Sequence, residues 1–256
     1  MNTRVAIVTG AASGLGRATA VRLAEDGLTV VVAGRDVVAS KRVAAELPGT
    51  GHLGVAIDIA EEDSVRKAFD VVERASGPVS VLACFAAIST ATGARGRVPI
   101  VDTGAEEWDG ISKVNTRGTF LCVREMMRRR FANPVDRGRI VIVGSMAGQV
   151  GGLMSGAAYS SSKAAVLGLT KVAAREALPL RMTVNAIAPG PIDSPALRAS
   201  VGDGDGRGDY SAVWDLPLGR IGLDREVAAA ASYLISEDGA YVTGATIDVN
   251  GGLNMR

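Results

Sequence analysis

Seven short apolar runs, rich in valine and isoleucine and mostly without in-out alternation, occur at residues 4–9, 29–34, 53–57, 79–85, 139–143, 182–187 and 245–249. A strand that is apolar on both sides must be covered on both sides, so these runs predict a parallel sheet sandwiched between helices. Helix-length amphipathic segments at 15–26, 37–47, 62–76, 106–131, 158–178 and 225–236 lie between them. Strand, helix, strand in succession implies right-handed crossovers and an α/β, doubly wound sheet of about seven strands. Such sheets bind ligands beyond the carboxyl ends of their strands. No linker or repeat breaks the alternation, and residues 1–256 are expected to form a single domain.

Two stretches resist the pattern, at 89–104 and 191–222. Long loops in compact domains are usually functional or disordered. The second contains Gly202-Asp203-Gly204-Asp205-Gly206-Arg207-Gly208-Asp209. Counting twelve positions from Asp203 arrives at Trp214, where a calcium loop needs glutamate. A substrate lid over 191–222, with a simple solvated loop as the alternative, is therefore expected.

Thr9-Gly10-Ala11-Ala12-Ser13-Gly14-Leu15-Gly16 joins the first strand to the first helix. At such a junction glycines let the backbone come close to a diphosphate, whose charge is stabilised by unpaired N–H groups of the opening helical turn. A glycine triplet alone is weak evidence in a chain with 32 glycines; its position carries the reading. The second strand ends in Gly34-Arg35-Asp36. A dinucleotide fold places here either a carboxylate on the adenosine ribose or a guanidinium on the extra 2′-phosphate. Gly34 leaves the carboxylate position empty and Arg35 supplies a forked cation suited to phosphate. NADP(H) is favoured, and NAD(H), with Asp36 reaching the ribose or pairing with Arg35, is the alternative.

Tyr159-Ser160-Ser161-Ser162-Lys163 sets a phenol and an ammonium on one helix face, a turn apart. A phenol with a pKa near 10 is a poor proton donor or acceptor at neutral pH until a cation stabilises its phenolate, which Lys163 can do. Alone, the pair reads equally well as a surface helix pair. It gains meaning beside the glycine turn, beside Ser145 closing the strand Ile142-Val143-Gly144-Ser145, and beside Asn115 in Val114-Asn115-Thr116-Arg117-Gly118.

Together these residues closely resemble the short-chain dehydrogenase/reductase family, in its single-domain, 3-oxoacyl-reductase-like branch with a Rossmann fold, over essentially the whole chain. The resemblance implies that Thr9, Gly10, Ser13, Gly14, Leu15 and Gly16 form the cofactor turn. It places Asp58 and Ile59 near the adenine, and Ala86 and Ala87 near its ribose. Arg35 would meet the 2′-phosphate. Asn115, Ser145, Tyr159 and Lys163 match the catalytic tetrad, with Tyr159 and Lys163 also touching the cofactor. Pro189, Gly190, Ile192 and Ser194 match the segment that holds the nicotinamide amide. The implied reaction is hydride transfer between nicotinamide and a ketone or secondary alcohol, with Tyr159 as general acid/base, Ser145 on the carbonyl oxygen and Asn115 positioning a water.

One departure stands out. Where the family commonly reads N-N-A-G after its fourth strand, this chain has Cys84-Phe85-Ala86-Ala87, so hydrogen bonds to the neighbouring strand must be made differently. Phe85 is expected to be core. The apolar residues Met146, Val150, Leu153 and Met154 beside Ser145 suggest a substrate wall suited to a hydrophobic or acyl ketone, with Ser145 and Tyr159 at its reacting end. A rival reading, a non-catalytic dinucleotide-binding redox sensor or scaffold, draws on the altered segment.

Composition narrows the rest. One histidine, His52, rules out a multi-imidazole zinc site or a histidine-based triad, and it reads as a surface residue without a role. Cys84 and Cys122 read as small buried hydrophobes. A net charge of +1, from 28 basic and 27 acidic side chains, gives no reason to expect a nucleic-acid or membrane partner. Arg128-Arg129-Arg130 reads as a solvated helix end, and Arg95 and Arg97 as solvated loop charges. No signal-like start and no run of 18 apolar residues occurs, so a cytoplasmic location is expected. The resemblance implies a homotetramer, or a homodimer, acting on a small-molecule carbonyl or alcohol.

Overall fold

The computed structural model describes residues 4–90, 92–93, 97–152, 154–195, 197–198 and 215–255. Its strands are β1 (Val5–Thr9), β2 (Thr29–Gly34), β3 (Leu53–Ala56), β4 (Val79–Cys84), β5 (Arg139–Val143), β6 (Thr183–Pro189), the short pair β7 (Ile192–Asp193) and β8 (Gly222–Leu223), and β9 (Thr246–Val249). Seven of them form one parallel sheet in the order β3-β2-β1-β4-β5-β6-β9. The helices are α1 (Gly14–Glu25), α2 (Val37–Glu46), α3 (Glu62–Ser76), α4 (Ala105–Ile111), α5 (Thr119–Ala132), α6 (Ala147–Val150), α7 (Ala157–Glu176) and α8 (Asp224–Ile235).

The apolar runs work as expected. Along β1, Val5 and Ile7 join a core under α3, α5 and α7, while Ala6 and Val8 join the core under α1, α2 and α8. The inner strands β1, β2, β4, β5 and β6 contribute to both cores, which is why they do not alternate in polarity, whereas the edge strands β3 and β9 each face one core and β9 alternates. Strand order reverses between β1 and β4, so the carboxyl ends of these two strands frame the crevice where a doubly wound sheet binds ligands. The stretch 191–222 is pinned at both ends by the β7–β8 pairing of Ile192 with Gly222 and Asp193 with Leu223. Residues 196 and 199–214, including the Gly/Asp run, lie outside the described residues.

The helix expected over 106–131 is α4, a π-helical stretch Ser112–Gly118 and α5 in continuous succession. π turns occur mostly at functional sites, and this one carries Asn115. Residues 89–104 are not wholly irregular either: Ile100–Asp102 make one 3-10 turn leading into α4.

Two readings of charged residues are corrected. Of the three arginines closing α5, only Arg128 is solvated. The Arg129 side chain bonds Asp70 at 2.6 Å, Glu73 at 2.9 Å and Glu125 at 2.7 Å, and Arg130 is 1% exposed against Glu73. Glu73 also accepts from the Val79 N–H at 3.2 Å, so one carboxylate joins α3, α5 and the start of β4. Helix-end reasoning sees only the axis of α5 and misses the acidic face of α3 packed beside it. His52 likewise has a structural role, since its Nδ1 accepts from the Val30 N–H at 3.0 Å while Nε2 donates to the Pro48 carbonyl at 2.8 Å. It thereby closes the edge of β2 just ahead of β3.

Removing one partner from a buried ion pair strands the other in low dielectric. Glu73→Ala is expected to destabilise the chain by about 3 kcal/mol, whereas Arg128→Ala shifts stability by less than about 0.5 kcal/mol; urea unfolding of both variants checks the contrast.

Candidate active site

The turn after β1 has the shape a diphosphate requires. Gly10 has φ +69°, and a Cβ there would lie 2.8 Å from the Ala86 backbone at the end of β4. A Cβ on Gly16 would lie 2.3 Å from the Gly10 carbonyl oxygen, so the start of α1 packs directly onto the turn. Gly14 has φ +51°, and among the described residues a Cβ there would meet only Pro195, at 3.9 Å. Ser13 is exposed and its side chain does not cap α1, so among the described residues no capping side chain spends the donors of the first helical turn. Leu15 is half-buried above them. These residues fit a bound diphosphate.

Thr9 works differently from its neighbours. It is buried, and its Oγ1 accepts from the Phe85 N–H at 3.1 Å and the Ala86 N–H at 3.2 Å. This is how the Cys84-Phe85-Ala86-Ala87 segment is tied to β1 without the asparagines the family commonly has there. Phe85 is 8% exposed and belongs to the core under α1, α2 and α8, as expected. Ala86 is half-buried and Ala87 exposed at the crevice.

At the end of β2, Arg35 is exposed and Asp36 caps α2, its Oδ1 accepting from the Val38 and Ala39 N–H groups at 2.9 Å each. A Cβ on Gly34 would lie 3.2 Å from Ser40 Oγ, which leaves little room for a longer side chain. Beyond β3, Asp58 turns back to accept from the Ala60 N–H at 3.0 Å, and Ile59 is buried against Gly118. On the far side, Pro189 ends β6, its carbonyl accepting from the Met146 N–H at 2.9 Å. Gly190 packs against Asn250, Ile192 is buried, and Ser194 Oγ accepts from the Leu197 N–H at 3.2 Å.

Asn115, Ser145, Tyr159 and Lys163 converge at the carboxyl ends of β4 and β5. Lys163 is buried, donates from Nζ to the Val143 carbonyl at 3.0 Å, and lies 5.7 Å from the centre of the Tyr159 ring. Burial pushes its ammonium down to about 8, only partly opposed by Cys84 nearby on β4. Burial raises the Tyr159 phenol, and a hydrogen bond with the Ser145 hydroxyl pulls it back down. Ser145 Oγ also accepts from the Ala147 N–H at 3.1 Å, which fixes its direction at the head of α6. Gly148 allows α6 to lie against α7, since a Cβ there would come within 2.6 Å of the Ala164 nitrogen.

Asn115 is 1% exposed and its amide is fully engaged. Oδ1 accepts from the Ile88 N–H at 2.8 Å, and Nδ2 donates to the Ile88 carbonyl at 2.9 Å and to Ser162 Oγ at 3.0 Å. Its side chain therefore orders the segment after β4 against α7. Ser162 completes the link by donating to the Tyr159 carbonyl at 2.7 Å.

A narrow cleft, with about 20 Å³ of room for a water-sized molecule, opens beside Tyr159, lined by Ser89, Thr90, Thr103 and Glu107 together with Val98 and Ile111. Glu107 is nearly buried and its Oε2 accepts from the Thr92 N–H at 2.7 Å. This polar lining was not apparent from the chain, because the residues come from a loop and from α4. Of the apolar wall expected beside Ser145, Met146 is half-buried, Val150 and Met154 are exposed, and Leu153 lies outside the described residues. Gln149 was also missed. Its Nε2 donates to Asp248 Oδ1 at 2.6 Å and its Oε1 accepts from Asn254 Nδ2 at 3.0 Å, joining α6 to the C-terminal segment.

Residues 10–254 match the family model described as Enoyl-(Acyl carrier protein) reductase. A short-chain dehydrogenase/reductase of Armillaria gallica is 36% identical, covering 98% of this chain and 95% of that protein. The 3-oxoacyl-(acyl-carrier-protein) reductase MabA of Mycobacterium tuberculosis is 35% identical, covering 99% and 94% respectively. Among solved structures, 3-ketoacyl-(acyl-carrier-protein) reductase from Brucella melitensis complexed with NADH superposes with a TM-score of 0.86, at 31% identity and 98% coverage of both chains. Similarity of this extent runs from the cofactor turn through the C-terminal strand, and the chain belongs to the short-chain dehydrogenase/reductase family.

Proposed function

We propose that this oxidoreductase interconverts a ketone, of 3-oxoacyl-thioester type, and the corresponding secondary alcohol with NADP(H), using Tyr159 as the proton donor and acceptor. The observation that carries the reading is the position of Tyr159, hydrogen-bonded to Ser145, above the buried ammonium of Lys163, and open to a cleft. When bound, the dinucleotide supplies or takes up the hydride. In reduction Tyr159 gives its proton to the developing alkoxide, and Ser145 donates a hydrogen bond to the same oxygen. Lys163, little screened in its apolar surroundings, stabilises the phenolate left behind. Asn115 holds Ile88 and Ser162, and so acts as a positioning residue for Tyr159.

NADP(H) over NAD(H) is supported by the exposed Arg35 and by Asp36, whose Oδ1 is taken up by the cap of α2. The solved relative complexed with NADH keeps the other dinucleotide as the alternative. The acyl class is supported by Met146, Val150 and Met154 beside Ser145 and by the reductases among the relatives. Exposed Trp108, Phe120, Phe131 and Val172 on α4, α5 and α7 support self-association as a homotetramer or homodimer.

Tyr159→Phe is expected to lower turnover of a 3-oxoacyl thioester by about a thousandfold while leaving cofactor affinity unchanged, measured by NADPH oxidation beside a binding titration. Dinucleotide binding without turnover by the unaltered chain on β-ketoacyl thioesters, quinones, steroids and sugar ketones would overturn the proposal in favour of a sensor. Arg35→Leu is expected to raise KM for NADPH by at least about tenfold, from the loss of a charge-assisted hydrogen bond, with KM for NADH little changed. For pH, the raised Tyr159 stays protonated across the neutral range, whereas Lys163 loses its charge as pH rises through about 8. The reductive kcat/KM therefore falls on the alkaline side with a midpoint near that value, and a profile that stays flat from neutral pH up to about pH 9 would remove Lys163 from this role.

A further inference from the structure

At the amino-terminal edge of the sheet, opposite the dinucleotide turn, three arginines gather around one carboxylate. Arg4 leads into β1, Arg139 opens β5, Arg137 sits in the turn before it, and Glu237 follows α8. Arg4 lies across the end of α8, donating from Nη1 to the Ile235 carbonyl at 2.9 Å and from Nη2 to the Arg137 carbonyl at 2.8 Å. Arg139 is 3% exposed, yet among the described residues its guanidinium donates only to the adjacent Gly138 carbonyl, at 3.1 Å. Its Nε, and that of Arg4, have no hydrogen-bond partner among the described residues. Glu237 stands 4.0 Å from Arg139 Nη2 and 3.4 Å from Arg137 Nη1. Those separations are looser than the 2.6–2.9 Å of the Arg129 pairs on α5.

A buried charge is costly unless it is paired and hydrogen-bonded. Here three positive charges share one loosely held negative charge, which is more than half exposed. The guanidiniums also act on one another: burial, then repulsion from Arg139 and Arg137, brings Arg4 down to about 10. Arg124 Nε and Arg130 Nε and Nη1 are likewise buried without a hydrogen-bond partner among the described residues, but those two guanidiniums each hold a carboxylate at close range. Arg129 and Arg130 face three carboxylates, and Arg220 is doubly bonded to Glu226.

We propose that Arg137 and Arg139, backed by the charge of Arg4, form a binding site for a phosphate-class dianion, which displaces Glu237 from between them. Guanidinium forks match phosphate oxygens in geometry and charge. Arg137, half-exposed, provides the entry side, and Arg139 the floor. Inorganic phosphate and a phosphomonoester present the same group, and the site is assigned to that group.

The test is thermal unfolding of the full chain in potassium phosphate against potassium chloride at matched ionic strength, with glycerol phosphate as a third arm. Binding to the folded state raises Tm saturably with ligand concentration. Arg137→Ala is expected to weaken the apparent phosphate affinity about tenfold, and Glu237→Gln to strengthen it by removing the competing carboxylate. Arg139→Lys probes the floor, and because that variant risks misfolding, the half-exposed Arg137 and Glu237 carry the decision. Phosphate held at the dinucleotide turn, and the general salt effect, contribute equally to all variants. Equal stabilisation by glycerol phosphate assigns the site to phosphomonoesters, and stabilisation by phosphate alone assigns it to the inorganic ion. Phosphate affinities that coincide in the unaltered chain, Arg137→Ala and Glu237→Gln overturn the proposal.

Discussion

The Thr9 hydroxyl, accepting from two successive N–H groups at the end of β4, holds together the point on which the rest of the molecule depends. β1 and β4 are neighbours in the sheet but far apart in the chain, and the strand order reverses between them. Past their last ladder pairing, Thr9 with Cys84, backbone bonds no longer fix their relation. The side chain continues the pairing by two residues, and Gly10 then rests on Ala86 with no space for a methyl group. The dinucleotide turn on one side and the Ile88–Asn115 clamp on the other are both referred to this junction.

The electrostatics of the site follow from its depth. Lys163 is enclosed by β4, β5 and its own helix, with the Val143 carbonyl as its hydrogen-bond acceptor and Cys84 as a neighbour. The same enclosure raises the Cys84 thiol to about 12, so at neutral pH it is an uncharged, polarisable wall. The Tyr159 ring centre lies 5.7 Å from the Lys163 ammonium, and it is on this pairing that the proposed proton transfer rests.

The fold was legible because its signals are periodic and local. Continuous runs such as Val79–Cys84 report two-sided burial, and the turn from Thr9 to Gly16 reports its own close approaches. The tetrad was legible through resemblance and through the one-turn spacing of Tyr159 and Lys163. What escaped was every interaction in which a polar side chain crosses between elements. Arg130 meets Glu73 across two helices, His52 holds the Val30 amide, and Glu107 reaches Thr92. In the chain each looks like an ordinary surface residue, because partner identity depends on which faces pack. The π-helical turn around Asn115 escaped for a related reason: its helix-forming sequence is indistinguishable from regular helix, and the widening accompanies a bond to Ile88.

The bridge from Gln149 to Asp248 and Asn254 has a bearing on how the molecule comes into being. The dinucleotide turn is complete once β1, α1 and β4 have met, within the first third of the chain. The shelf that carries Ser145 rests on α7 and on the Pro189 carbonyl, and its last braces, from Asp248 and Asn254, emerge from the ribosome about a hundred residues after it. During synthesis the turn after β1 can therefore close on the end of β4 well before the Ser145 shelf is fully braced.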